Sequence, residues 1–504
     1  MSENQQKPTL SLSASSHVKK QKPSQGRGKK QGFKNNQRGF DDRPQRRPQD
    51  KRQGGKGSGH DRGRGKSMGA KPQMSRVDGL PANRIAAYEV ARLVLLEDHY
   101  LDKALAENER LKSLYPTDRQ FVRMMVTSLL RHHTQLDGLL SDYVTRKPPA
   151  EAFLILMMGA VQLLLMRTPQ HAALSTSVDL MRAAGFDHMT GMTNAILRKL
   201  SQKEIDLLAN PSLSSNIAPD MLKAWQKAYG YDRVAEFVPH LFAPPQIDLS
   251  FADEDKAKAE ATKREGLCLT PTTIRVPLDG DITKWDGFEA GDWWVQDIAA
   301  SLPAHLLGDI NGKSVIDMCA APGGKTAQLL AKGASVTALE IDGKRAKRLG
   351  ENLDRLHMKC VIEEIDALNY TPIERPDAVL LDAPCSATGT IRKRPDVMRK
   401  DIRDDLRTLP KMQEALARRA IAWLGHGGVL VFATCSLQPQ EGEEIVKKLV
   451  SGPRAVAKTM SITKEEAGDF AASLTEEGWL RLLPDSLASK GGNDGFFIAR
   501  LARL

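Results

Sequence analysis

Apolar and polar residues change their spacing twice along this 504-residue chain. From about residue 76 to 208, apolar positions recur at steps of three and four, as at Ile85, Val90, Leu93, Val94, Leu101 and Leu105, a spacing that lines one face of each of several helices. Tyr115-Pro116-Thr117, Lys147-Pro148-Pro149 and Asn210-Pro211 interrupt the pattern, because proline lacks the N–H that a continuing helix needs and disfavours helix in the residue before it. The spacing predicts an all-helical domain over 76–208. Its most apolar run, Ala152 to Met166, is shorter than the ~20 residues that span a bilayer and contains Gln162, so a buried helix is expected and no membrane association.

Residues 209–300 are mixed. A helical stretch with Met221, Leu222, Trp225 and Tyr229 precedes a Pro244-Pro245 break, a strand-like QIDLSF and a turn-rich piece ending in DWWVQDIAASLPAHLL, which together predict a small α+β connector. Over 301–504 the runs SVIDMCAA, SVTALEID, KCVIEEID, DAVLLDAP and GVLVFATCS alternate with helical stretches. Near-continuous apolar strands mean burial on both faces, hence an α/β, Rossmann-like domain with a parallel sheet. Ligands of such sheets bind beyond the carboxyl ends of the strands, which is where Asp317, Cys319, Glu340, Asp366, Asp382, Cys385, Thr434 and Cys435 fall.

Charge alters this picture only at the N-terminus. Residues 1–75 hold 19 Lys and Arg against 5 Asp and Glu, a balance of +14 in a chain of net +11, so the remainder carries −3. Rich in Gly, Gln, Lys and Arg and nearly free of aliphatic residues, this segment cannot bury enough apolar surface to offset its ordering entropy, and a disordered basic tail is expected. A solubilising tail and an RNA-contacting arm are both compatible with it. The start of the chain has no apolar core of a signal peptide, which points to a cytoplasmic protein. Cys268, Cys319, Cys360, Cys385 and Cys435 are odd in number and widely spaced, so neither a zinc site nor a disulfide framework follows, and His132, His133 and His171 have no metal-ligand company.

The loop after the first apolar strand, Cys319 to Thr326, ends in Gly-Lys-Thr like a phosphate-binding Walker loop. A P-loop NTPase would need glycine where Cys319 stands, and Pro322 removes an N–H from a loop that works by offering N–H groups. A nucleoside-binding turn fits better: Gly323 and Gly324 admit close approach of a ligand, and Glu340, at the end of the next strand, is placed for ribose hydroxyls.

DMCAAPGGKT, LLDAPCSATG, VFATCS and GGNDGFFIARL resemble the S-adenosylmethionine-dependent RNA cytosine-5 methyltransferases, over roughly residues 210–504. TDRQFVRMMVTSLLRH, MMGAVQLLLM and MTNAILRKL resemble the NusB-type helical RNA-binding domain that one branch of these enzymes, acting on bacterial 16S ribosomal RNA, carries at its N-terminus. The resemblance implies that Cys319, Ala320, Ala321, Pro322, Gly323, Gly324 and Lys325 cradle S-adenosylmethionine, with Glu340 on the ribose and Asp366 on the adenine. It implies that Asp382 faces the base near the cofactor, that Cys435 is the attacking thiol and that Cys385 assists breakdown of the adduct.

The chemistry accounts for these residue types. Carbon 5 of cytosine is a poor nucleophile until a thiolate adds to carbon 6, an acid at N3 eases that addition, and a second ionisable group serves the release. No metal is needed. Arg392, Lys393 and Arg394, directly after the acid and the first cysteine, are then expected to hold phosphates that flank the target base. Where such relatives read Leu-Arg-Val-Asn after the double proline, this chain has Leu249-Ser250-Phe251-Ala252, so an arginine contact is absent. The expectation is a monomer acting on RNA; the rival reading is a non-catalytic RNA-binding or ribosome-assembly factor that keeps the fold.

Overall fold

A computed structural model describes residues 79–202, 207, 213–277 and 280–504, all within one compact unit, Lys71–Leu504. The basic tail of 1–75 lies outside the described residues. The helical domain opens with Ala82–Leu96, and its central element is the helix Ala150–Leu164, buried continuously from Ala152 to Gln162, as the apolar run predicts. Around it pack Pro116–Arg131, Gln170–Ala183 and Thr190–Leu200. Gly159 admits the closest approach: a Cβ there would lie 2.6 Å from Leu197 Cδ1 and 2.7 Å from Ser177 Oγ. Two of the three expected proline breaks precede helices, with Pro116 in a first turn and Pro149 capping Ala150–Leu164, and the third, Asn210-Pro211, lies outside the described residues. Among the described residues no helix is long and apolar enough to cross a membrane.

The connector has two parts. Helices Pro219–Tyr229 and Tyr231–Phe242 bury Trp225 and Phe237 edge to face at 5.7 Å and share a core with Ile391, Val397, Met398 and Leu437, which belong to the catalytic loops. Strands β1 (Ile247–Phe251), β2 (Leu267–Thr270), β3 (Thr273–Val276) and β4 (Trp293–Val295) form an antiparallel sheet in the order β2-β3-β1-β4, packed against the helix Glu254–Lys263.

The larger sheet contains β5 (Ser314–Met318), β6 (Ser335–Glu340), β7 (Val361–Glu364), β8 (Ala378–Asp382), β9 (Val429–Thr434), β10 (Ala457–Thr459), β11 (Leu480–Leu482) and β12 (Phe496–Arg503). Its order is β10-β12-β9-β8-β5-β6-β7, with β11 also on β12. The five strands β5 to β9 are parallel, as their apolar runs predict, whereas β10, β11 and β12 pair antiparallel. The order reverses between β5 and β8, so the chain leaving these strands diverges and opens a crevice at their carboxyl ends. Because β12 runs antiparallel to β9, its first residues also reach that crevice.

Candidate active site

Beyond β5 the chain turns sharply. Cys319 has φ 60°, and Gly323, at φ 104°, precedes the helix Gly324–Ala331. A Cβ on Gly323 would come within 2.6 Å of Leu349 Cδ1, so both backbone conformation and space demand glycine. The helix Gly343–Arg355 braces the turn: Arg345 Nη2 donates to Ala321 O at 2.8 Å and Asn352 Nδ2 to Pro322 O at 2.8 Å. On the inner side Thr326 Oγ1 donates to Asp317 Oδ2 at 2.6 Å, and burial pushes the Asp317 carboxyl up to about 7. Burial likewise pushes the Cys319 thiol up to about 12, which disfavours its thiolate.

Glu340, at the end of β6, is buried. Its Oε1 accepts from Asp342 N and Arg345 Nη1, each at 3.2 Å, while Oε2 is buried with no donor. Asp366 lies next to it beyond β7, where Ile365 N donates to Glu340 O at 3.0 Å; its carboxylate caps its own turn by accepting from Leu368 N at 2.9 Å.

The two later strand ends bring the cysteines together. Ala383 N donates to Ala433 O at 2.9 Å, continuing the β8–β9 pairing, and Cys385 Sγ lies 3.4 Å from Cys435 Sγ. A hydrogen bond with Cys435, burial, and the charges of Cys435 and Glu441 push the Cys385 thiol well above its ordinary value. The turn after Cys385 is clamped: Gly389 N donates to Cys435 O and Gly495 N to Gly389 O, both at 2.9 Å, and a Cβ on Gly389 would stand 2.0 Å from Gly495 O.

A cavity of about 590 Å³ fills the crevice. Its walls include the Cys319–Lys325 loop, Asp382, Phe496 and, from the connector, Phe288 and Trp294; of the two paired cysteines it is Cys435 that lines it. At the end of that loop Lys325 Nζ donates to Asp382 Oδ2 at 2.7 Å and lies 5.4 Å from the Phe496 ring centre. Burial pulls the Lys325 ammonium down, but the negative groups around it, Asp382 first and Cys435 among them, raise it on balance.

The three cations expected to hold phosphates have protein partners of their own. Arg392 is 2% exposed and donates through Nη2 to Gly491 O at 2.8 Å. Lys393 reaches the cavity wall, where Nζ donates to Asp297 Oδ2 at 2.7 Å and Asp494 Oδ2 at 2.8 Å, two buried carboxylates that need a counter-ion. Arg394 is half-buried like Lys393 and is itself paired, 3.2 Å from Asp102 and 5.9 Å from the Tyr100 ring. Ser250, where an arginine was missed, is buried beside Thr273 Oγ1 at 3.3 Å. His132 and His133 are pushed by burial to about 4 and stand in no metal cluster; none occurs among the described residues. Asp297, Glu441, Asp494 and Phe496 were not singled out from the sequence. Asp494 and Phe496 lie within the quoted GGNDGFFIARL without standing out in it, and the Pro439-Gln440-Glu441 turn soon after Thr434-Cys435-Ser436 is a local signal for Glu441.

Comparison with known proteins agrees with this geometry. Residues 304–502 match the family described as 16S rRNA methyltransferase RsmB/F, and residues 81–202 the NusB family. The chain is 31% identical over 403 residues to ribosomal RNA small subunit methyltransferase B of Xylella fastidiosa (strain 9a5c), covering 77% of this chain and 92% of the relative. It is 30% identical over 406 residues to the protein of the same name from Escherichia fergusonii, covering 77% and 91%. A crystal structure described as PH0851 shares the fold, with a TM-score of 0.64 at 20% identity over 85% of this chain and all of that one. The chain therefore belongs to the RsmB/F family, with a NusB-type helical domain, and is an S-adenosylmethionine-dependent RNA methyltransferase.

Proposed function

We propose that this protein methylates carbon 5 of a cytosine in small-subunit ribosomal RNA through a covalent bond between Cys435 and carbon 6 of the base. The observation that carries this reading is the pair of sulfurs 3.4 Å apart beside the Lys325–Asp382 ion pair. S-adenosylmethionine supplies the methyl group when bound. Glu340 fits its ribose, since Oε2 is a buried acceptor with no protein donor, and Asp366 stands beside it for the adenine.

The Cys435 thiolate, which lines the cavity within the field of the Lys325 ammonium, adds to carbon 6 and drives the ring's π-electrons onto carbon 5. Asp382, its charge held by Lys325, relays a proton from that ammonium towards N3 as negative charge develops there. After carbon 5 has gained its methyl group the N3 proton returns through Asp382 to Lys325, the Asp382 carboxylate takes the carbon 5 proton, the freed C–H pair closes the C5–C6 double bond, and the S–C6 pair returns to Cys435. Cys385, held as a thiol, donates to the departing sulfur. The names of the relatives, each a small-subunit ribosomal RNA methyltransferase, support the choice of RNA.

A denaturing gel of each cysteine variant with RNA and S-adenosylmethionine tests the division of labour. Cys385→Ala is expected to stall as a slow, nuclease-sensitive band, and Cys435→Ala to give no band and no methylation. The reverse pattern would exchange the two roles. Intact methylation in both, without an adduct, would sink the covalent mechanism.

A further inference from the structure

Behind the two sulfurs lies a carboxylate that this chemistry does not use. Glu441 is fully buried at the end of the turn Pro439–Glu441. Its Oε1 accepts from Ser386 N at 2.9 Å and Gln413 Nε2 at 3.2 Å, and its Oε2 from the hydroxyls of Ser386 and Ser436, both at 2.5 Å. Ser386 follows Cys385 and Ser436 follows Cys435, so one carboxylate receives a donor from the residue next to each sulfur. The residues before the cysteines are tied in as well: Gln413 Nε2 also donates to Pro384 O at 2.8 Å, and Thr434 Oγ1 donates to the Glu441 carbonyl at 3.1 Å.

We infer that Glu441 is a positioning residue that holds the two cysteine loops in register and keeps negative charge off Cys385, so that the thiolate forms on Cys435. The inference rests on the roles proposed above. Its physical basis is an asymmetry of charge. Lys325, paired with Asp382, lines the same cavity wall as Cys435 and Cys385 does not, whereas the residue next to Cys385 donates twice to the Glu441 carboxylate, whose charge is among those that raise the Cys385 thiol. Arg481 and Glu443 lie behind Glu441, and that guanidinium is spent: it donates to Glu443 at 2.8 and 2.6 Å and to Ser436 O at 2.5 Å. A second negative charge beside a buried carboxylate is disfavoured, so ionisation moves to the sulfur nearer the ammonium.

The test measures thiol ionisation without turnover. Full-length protein, without RNA or cofactor, is alkylated with iodoacetamide across a pH series, and the Cys385 and Cys435 peptides are quantified by mass spectrometry. In the wild type Cys435 is expected to react at lower pH than Cys385. Glu441→Gln keeps the shape and removes the charge, and should move the Cys385 midpoint down by about one unit, or roughly tenfold faster labelling below the midpoint. Ser436→Ala removes a donor that partly neutralises the carboxylate, and should move the Cys385 midpoint up.

An unchanged Cys385 midpoint in Glu441→Gln, or shifts of the same sign in both variants as mere loosening of the loops would give, overturns the inference. If Glu441→Gln does not fold, Ser436→Ala decides alone: an upward shift supports the inference and any other result overturns it. A wild type in which Cys385 ionises first overturns instead the cysteine roles on which it rests.

Discussion

Asp248 and Arg275 face each other across β1 and β3, 3% and 6% exposed. Arg275 Nε and Nη2 donate to the two carboxylate oxygens at 2.6 and 2.8 Å, and Asp248 Oδ2 also accepts from Ile298 N at 3.0 Å. The remaining nitrogen, Nη1, donates to Lys490 O at 2.6 Å and Gly492 O at 2.7 Å. One guanidinium thus joins the connector sheet to the segment that goes on to supply Asp494 and Phe496 to the cavity. Asp248→Ala leaves that charge buried without its carboxylate, a loss worth about 3–5 kcal/mol. With a urea dependence of ~2 kcal/mol per M, the midpoint should fall by roughly 1.5–2.5 M. Trp293 and Trp294, buried in or beside the same sheet, report the transition by fluorescence. Asp248→Leu with Arg275→Met removes both charges but strands two carbonyls and the Ile298 N–H at about 1–3 kcal/mol each, so it should recover only part of the loss. A cost below ~1 kcal/mol for Asp248→Ala, or full recovery in the double variant, would refute the reasoning.

Two further outcomes are expected. Glu340→Ala should weaken S-adenosylmethionine binding by roughly 1–3 kcal/mol in calorimetry, the scale of charge-assisted bonds to ribose hydroxyls, and wild-type affinity would move that role elsewhere. Deleting residues 1–75, with their +14 balance, should leave the rate at saturating RNA nearly unchanged and flatten the slope of log affinity against log salt, whereas an unchanged slope would mean that the tail makes no phosphate contacts.

The parallel strands were legible because burial on both faces writes itself as short apolar runs: SVIDM, SVTALE, AVLLD and VLVFAT are strands within the stretches that predict them. Their order was not legible, since pairing of β5 with β8 joins residues more than sixty apart and no local spacing encodes it. The cysteines could be found because each follows such a strand directly. The partners of Arg392 and Lys393 were not legible, because Asp297 and Asp494 arrive as buried acids, and Gly491 O as an acceptor, from far away in sequence.

The same segment is held by the helical domain. Arg131, which burial lowers to about 10, donates through Nη2 to the backbone carbonyl of Arg392 at 2.7 Å. Lys400 Nζ donates to Asp98 O at 2.7 Å and His99 O at 3.0 Å, and Leu101 N donates to Asp396 Oδ2 at 3.0 Å. The segment from Arg392 to Lys400 is therefore gripped from two sides. The helical domain holds its backbone and its far end, while Arg392 and Lys393 tie it to the connector and to the start of β12. Its first residue follows Cys385 closely, through the turn whose Gly389 is clamped between Cys435 and Gly495. A helical domain joined by a free linker would act only by raising the local concentration of RNA. Here Arg131, Lys400 and Leu101 tie the helical domain by direct hydrogen bonds to the segment that follows the first cysteine, so the two domains meet next to the catalytic loops and not through a linker alone.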